Sequence, residues 1–178
     1  MPRLFVALGL PDDLRDALAL VRGGIEGARW IEPADYHVTL RFIGDVSGGD
    51  ARAVARELDA VRGEPFDLRL TGFDAFGGPK PKSIFARVEA NQALTALQSR
   101  IERACQVAEM DLERRRFTPH VTLARLRSGQ ARAAAEWLSR HGVPALPTLP
   151  VTSFGLYSAR ASVGGGPYVL EVDYPLTG

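Results

Sequence analysis

His37-Val38-Thr39-Leu40-Arg41-Phe42-Ile43-Gly44 and His120-Val121-Thr122-Leu123-Ala124-Arg125 are the two stretches from which the rest of the chain can be read. The chain has three histidines and eight threonines in 178 residues. A histidine followed two places later by threonine, with Val between and Leu after, is therefore improbable twice by chance, and it reads as an internal duplication at four-residue resolution. Both stretches are β-prone. Side chains two apart on a strand point the same way, so His37 shares a face with Thr39, and His120 with Thr122. Val38 and Leu40, like Val121 and Leu123, turn to the opposite face and into a core. Each strand thus offers an imidazole beside a hydroxyl on apolar backing, and the repetition asks for two similar sheets that face each other.

Working outward, Leu4 to Leu10 is apolar on both parities and reads as a buried strand. Pro11-Asp12-Asp13 then opens an amphipathic helix through Leu14, Leu18 and Val21 that ends at Gly23-Gly24. The first histidine strand runs from Tyr36 to Ile43. Asp50 to Val61, with Ala51, Val54, Ala55 and Leu58 on one stripe, is a second helix. Phe66 to Thr71 alternates as a strand, and Ser83 to Val88 is another. Between them Gly77-Gly78-Pro79-Lys80-Pro81-Lys82, which carries the only two lysines, reads as a flexible loop. Asn91 to Met110 is the longest helical pattern, and the second histidine strand, His120 to Leu126, follows it. Gln130 to Arg140 reads as a last helix, and Val151 to Ser158 and Tyr168 to Tyr174 as closing strands. Gly164-Gly165-Gly166-Pro167 lacks the Gly-Lys-Ser/Thr ending of a phosphate loop and is expected to connect a hairpin. Small groups of strands broken by helices, without regular alternation, give an α+β class.

The composition is that of a soluble globular protein, and a chain of this size fits one domain, residues 1–178. A net charge of +1 argues against a protein that coats long polyanions, so any nucleic acid is gripped locally. No segment reaches the length of a membrane span and Met1 to Leu8 is too short for a signal core, so a cytoplasmic protein with no membrane partner, and a monomer, are the expectations. Cys105 shares a helical stripe with Ile101, Ala104 and Ala108 and reads as a packed thiol.

A histidine bonded to a neighbour within a half-buried sheet explains one such residue; it does not explain a duplicated His/Thr pair. No His-Glu-x-x-His and no cysteine cluster supplies metal ligands, so no metal and no cofactor are expected. His141 stands beside the helix-ending Gly142 and is expected on the surface. No Gly-x-Ser-x-Gly marks a nucleophilic serine. What two imidazoles suit is in-line displacement at phosphorus, one removing a proton while the other supplies one, since a ring with a pKa of about 6.5 can do either near neutral pH. Thr39 and Thr122 are placed to donate to non-bridging oxygens as charge builds on them.

These motifs resemble the paired His-x-Thr-x signatures of the two-histidine phosphoesterase superfamily. Arg3-Leu4-Phe5-Val6-Ala7-Leu8 with Pro11 and Leu14, Trp30 before the first motif, and Phe117-Thr118-Pro119 before the second narrow the likeness to the RNA 2',3'-cyclic phosphodiesterases, also called 2'-5' RNA ligases. The resemblance implies two pseudo-symmetric lobes, each an antiparallel sheet with helices outside, and an active-site cleft between them. It implies RNA ends or nucleotides bearing a 2',3'-cyclic phosphate as partners, hydrolysed to a 2'-phosphate, with possible 2'-5' ligation in reverse. His37 is then the proton donor and His120 the proton acceptor, although the residues alone do not assign those roles. It also implies that Arg125 binds the phosphate. Strand parity objects, because Arg125 is five residues after His120 and needs a bulge or the strand's end to turn it inward, whereas Arg41, four after His37, has the favourable parity. Arg114-Arg115-Arg116 is a candidate hold on the RNA backbone or a solvated helix end. Trp30, Tyr36 and Phe42 flank the first histidine as base-stacking candidates or, more simply, core. A nuclease that generates cyclic ends and a nucleotide-binding module without turnover are the competing readings.

Overall fold

The computed structural model describes residues 3–108, 116–142, 144–159 and 167–177. In chain order the elements are β1 (Arg3–Gly9), α1 (Asp12–Ala19), β2 (Arg29–Trp30), a 3-10 turn (Pro33–Asp35), β3 (His37–Asp45), α2 (Gly48–Asp59), β4 (Phe66–Leu68), β5 (Leu70–Phe76), β6 (Ser83–Val88), α3 (Gln92–Val107), β7 (His120–Arg125), α4 (Ala131–His141), β8 (Leu149–Val151), β9 (Ser153–Ala159) and β10 (Val169–Pro175). Two of the four described helices, α2 and α3, begin at side-chain caps: the Ser47 hydroxyl accepts from the Asp50 amide at 3.1 Å, and the Asn91 side chain from the Leu94 amide at 3.0 Å. None of the described helices is long and apolar enough to cross a membrane.

The main sheet is antiparallel, in the order β10-β9-β1-β3-β7-β6-β5, with β2 also pairing β7; β4 and β8 form a separate ribbon. The two halves of this sheet meet at a single register pair, Val38 opposite Val121, which are equivalent residues of the two motifs. Around that pair the topology repeats. The run β1-α1-β3-α2-β4-β5 matches β6-α3-β7-α4-β8-β9, with β1 beside β3 as β6 is beside β7. The last strands are exchanged, since β5 of the first run pairs β6 of the second and β9 of the second pairs β1 of the first. The duplication seen over four residues therefore extends to the chain's whole topology, with β2 and β10 standing outside it.

The helices cover one face of the sheet. Leu14 and Leu18 of α1, Val54 and Leu58 of α2, Leu94, Leu97 and Ile101 of α3, and Trp137 of α4 join Val6, Leu8, Val38, Val121 and Leu123 in one buried cluster. Each such aliphatic side chain taken fully out of water contributes roughly 1.5–3 kcal/mol. Cys105 is packed among them, and burial pushes its thiol up to about 11.

Several boundaries differ from the sequence reading. The segment Phe66 to Thr71 is two strands, broken at Arg69 as the chain passes from β8 to β6 as partner, and Thr152 breaks the second copy in the same way. A smooth alternation of polarity does not register a change of partner. The lysine loop closes as a hairpin: the Lys82 amide donates to the Phe76 carbonyl at 2.8 Å and the Lys80 amide to the Gly77 carbonyl at 3.2 Å. Gly77 sits at φ 109°, where a Cβ would strike the Lys80 carbonyl. β9 and β10 are antiparallel neighbours. Gly164, Gly165 and Gly166, expected to connect them, lie outside the described residues.

Candidate active site

His37 opens β3 and His120 opens β7, and with Thr39, Thr122 and Arg125 they line one cleft of about 210 Å³ on the sheet face that carries no helix. The two rings are held alike. His37 Nδ1 lies 2.8 Å from the Asp35 carbonyl, and His120 Nδ1 lies 2.6 Å from the Thr118 carbonyl, in each case two residues back along the chain. A carbonyl can only accept, so Nδ1 carries the proton in both rings and Nε2 is the nitrogen left to gain or lose one. His37 Nε2 is 2.9 Å from the Thr39 hydroxyl.

Aromatic side chains fix the ring planes. His37 packs between Phe5 and Tyr168, with ring centroids 5.0 and 5.1 Å away, and His120 packs against Phe76 and Phe85 at 4.8 and 5.4 Å. This apolar surround is the main reason both imidazoles titrate below their ordinary value of 6.5. At His37 the Asp35 carbonyl and carboxylate oppose the shift, while the charges of His120 and Arg125 add to it. At His120 the Thr118 carbonyl opposes it and Arg125 adds to it.

The inward turn of Arg125 comes from a bulge. β7 keeps register with β6 from His120 to Thr122, skips Leu123, and resumes with Ala124 opposite Ile84 and Arg125 opposite Ser83. The skipped residue restores Arg125 to the cleft face. β3 has the same irregularity at Leu40 in its pairing with β1. There it sends Arg41 to the helix side, where the residue is 8% exposed and its guanidinium lies 3.0 Å from the Glu102 carboxylate of α3. The favourable parity of Arg41 holds only for an unbroken strand, and its ion pair lies away from the cleft. Phe42 takes the place in the first half that Arg125 takes in the second.

Different groups satisfy the two bulges. The Leu40 carbonyl accepts from Gln98 Nε2 at 3.2 Å, and the same nitrogen donates to Glu102 at 3.1 Å. The Leu123 carbonyl accepts from the Ile31 amide at 2.8 Å.

Of the aromatic candidates, Phe42 is 55% exposed and lines the cleft, whereas Tyr36 is buried and Trp30 packs on Trp137. His141 ends α4 as expected but is half-buried, stacked on Trp137 at 3.9 Å with Nδ1 bonded to the Trp137 carbonyl, because the last turn of the helix folds over that ring. Arg116 is exposed; Arg114 and Arg115 lie outside the described residues. The sequence reading missed Asp35, Tyr168, Phe76 and Ser83 in the cleft. Asp35 stood two places before His37 and could have been found there. Tyr168 is far off in the sequence and had no local signal.

Among the described residues no group of three or more histidine, cysteine or acidic side chains could hold a metal ion. The Lys82 hairpin borders the cleft, since Phe76 before it and Ser83 after it are both lining residues.

Known proteins share this architecture. An RNA 2',3'-cyclic phosphodiesterase of Geobacillus stearothermophilus is 32% identical over 152 residues, 82% of this chain and 48% of that protein, so the chain spans about half the length of this relative. One of the same description from Bacillus subtilis is 25% identical over 150 residues, covering 81% of this chain and 76% of the relative. Among solved structures, Escherichia coli LigT complexed with 3'-AMP superposes with a TM-score of 0.77 at 22% identity, over 99% of both chains, and shares the fold. A protein of Thermus thermophilus, TT0787, superposes with a TM-score of 0.72 at 25% identity, over 98% of this chain and 97% of that one. The sequence model of the 2'-5' RNA ligase superfamily matches residues 11–162, across both histidine motifs, and the chain belongs to that superfamily of two-histidine phosphoesterases.

Proposed function

We propose that this chain hydrolyses the 2',3'-cyclic phosphate at the end of an RNA to a 2'-phosphate, by acid-base catalysis between His37 and His120. The observation that carries the reading is the matched locking of the two rings: each donates from Nδ1 to a backbone carbonyl, which makes Nε2 the proton-exchanging nitrogen of both rings in one cleft. A binding module has no use for two such nitrogens.

The phosphate sits between the rings. His120 Nε2 takes a proton from water as its oxygen attacks phosphorus in line with the bond to the 3'-oxygen. That bond breaks, and the 3'-oxygen takes the proton on His37 Nε2, giving a 2'-phosphomonoester and a 3'-hydroxyl. The division of roles follows the surroundings. Asp35 beside His37 favours its protonated form, whereas among the described residues no acidic group offsets the positive Arg125 at His120, which favours the neutral base there. Burial disfavours charge on His37, and the bound phosphate anion offsets this. While His37 Nε2 is neutral it accepts from the Thr39 hydroxyl; protonation of Nε2 ends that bond, leaving Nε2–H for the departing 3'-oxygen and the hydroxyl hydrogen for the phosphate, and Thr122 and Arg125 supply further donors to the oxygens that gain charge.

The reading also takes residues 1–178 as one two-lobed domain, and the protein as a monomer of the cytoplasm, for sizing and cell fractionation to check. The decisive test is incubation with a nucleoside 2',3'-cyclic phosphate in the presence of a chelator, separating 2'- from 3'-phosphate product. A 2'-phosphate is expected. No turnover removes the proposal, and cyclic ends made from uncleaved RNA favour a nuclease.

A further inference from the structure

Arg29 of β2 stands directly opposite Arg125 of β7. The neighbouring pair, Trp30 opposite Ala124, faces the core: Ala124 is fully buried and Trp30 packs on Trp137. Successive residues of a strand alternate faces, so Arg29 and Arg125 share the cleft face. On its other side Arg125 is opposite Ser83, itself a cleft residue, which fixes the same face independently.

Like charges directly opposite on neighbouring strands destabilise a sheet. This pair is nonetheless built into a two-residue strand whose position is set by the Ile31 amide bonded to the bulge carbonyl of Leu123. Of the two acidic residues nearest along the chain, Glu26 and Glu32, Glu32 is already engaged by Arg22 at 3.4 Å and, among the described residues, Glu26 forms no ion pair with Arg29. Both guanidinium groups act on the same phenol. Burial and then Asp35 push the Tyr168 hydroxyl up, and Arg125 and Arg29 both pull it down, so both charges are felt at one end of the cleft. Lys82 extends the positive edge, since its carbonyl accepts from the Leu126 amide at 2.8 Å and its side chain is exposed.

A cyclic phosphate between the histidines carries one negative charge and engages Arg125. Arg29 does not line that pocket but stands one strand further out, about 5 Å across the sheet. That offset is on the scale of the step between successive phosphates of a ribose-phosphate chain. We propose that Arg29 binds a second phosphate of the substrate, the phosphodiester on the 5' side of the terminal nucleotide, and that the cleft is therefore built for an oligoribonucleotide end rather than a mononucleotide. This rests on the cyclic phosphodiesterase reading above.

The test compares Arg29→Gln with the parent protein on a nucleoside 2',3'-cyclic phosphate and on a short oligoribonucleotide with the same terminal group. The loss in kcat/KM on the oligonucleotide should exceed that on the mononucleotide by about tenfold, carried by KM. The log-log salt dependence for the oligonucleotide should flatten by about 0.7, the share of one single-strand phosphate contact. Arg29→Lys should recover most of the difference, since it keeps the charge, and circular dichroism checks that both variants fold. Equal losses on the two substrates, or no loss on the oligonucleotide, overturn the proposal. If the parent protein hydrolyses neither substrate, the proposed activity fails, yet Arg29 is still tested. A dinucleotide ending in a 2'-phosphate should then lose more affinity on Arg29→Gln than a 2'-mononucleotide does, and equal affinity losses overturn the inference.

Discussion

Leu40 and Leu123 are twin bulge residues: each is passed over in the register that its strand keeps with its neighbour, β1 for Leu40 and β6 for Leu123. One extra residue reverses the parity of everything after it. The fifth residue beyond each histidine, rather than the fourth, returns to the cleft. In β7 that residue is Arg125 and in β3 it is Phe42, so a nearly symmetric backbone lines the cleft with a cation from one half and an aromatic ring from the other.

The two arginines should therefore fail in different ways. Arg125→Ala should leave stability within about 0.5 kcal/mol of the parent, as for other exposed positions, while kcat/KM falls by roughly 2–4 kcal/mol of transition-state stabilisation. Arg41→Ala strips the charged partner from the half-buried Glu102 carboxylate, which keeps only the Gln98 amide, and should cost about 1–3 kcal/mol of stability. Urea denaturation and steady-state kinetics on both variants separate the cases; a stability loss at Arg125 equal to that at Arg41 contradicts the register.

Replacing His37 or His120 with alanine should each abolish most hydrolysis, and the double variant should be little worse than the worse single one, because the pair moves protons as a unit. Chelator should change neither the parent nor the variants. The apolar neighbours Val38 and Val121 face away from the cleft and stay fully buried, so the alanine variants should fold. A folded His120→Ala protein with near-parent turnover contradicts the assignment.

The pH dependence has a sign. Both imidazoles lie below 6.5 in the free protein, mainly through burial, so the bell of kcat/KM should be displaced to the acid side of that value. A bound phosphate anion favours the protonated rings, and the bell of kcat should sit higher. The same depression makes folding weaker in acid. Between the folded and unfolded pKa values the unfolded chain holds more protons, so this contribution is present above about pH 6.5 and is lost as pH falls through the folded values. His37→Ala should flatten that slope in urea midpoints measured from pH 7.5 to 5. A kcat/KM bell centred above that of kcat contradicts the depressed values.

Thr39→Val and Thr122→Val should each lower kcat more than they raise KM, by roughly 2–4 kcal/mol apiece if each hydroxyl serves developing charge. They should differ in one respect. Thr39 is bonded to His37 Nε2, so its loss should also move the pH limb belonging to His37. An unchanged kcat in a folded Thr122→Val protein would make that hydroxyl a packing group.

By itself the sequence determined the two histidine strands, the face on which each imidazole and hydroxyl lies, all four described helices and the α+β class, because each of these is written in spacing along a few neighbouring residues. It also posed the right question about Arg125, since parity asked for a bulge or the strand's end to turn it inward, and it did not say which. Tertiary structure decided the rest. Whether Leu40 and Leu123 bulge depends on the partner strands and on the donors that meet the freed carbonyls, Gln98 from α3 and the Ile31 amide before the 3-10 turn. The exchange of β5 and β9 between the two halves, the change of partner at Arg69, and the arrival of Tyr168 and Phe76 beside the histidines are pairings between distant segments. No local pattern encodes them, because the energy that fixes them comes from burying surfaces that meet only once the chain has folded.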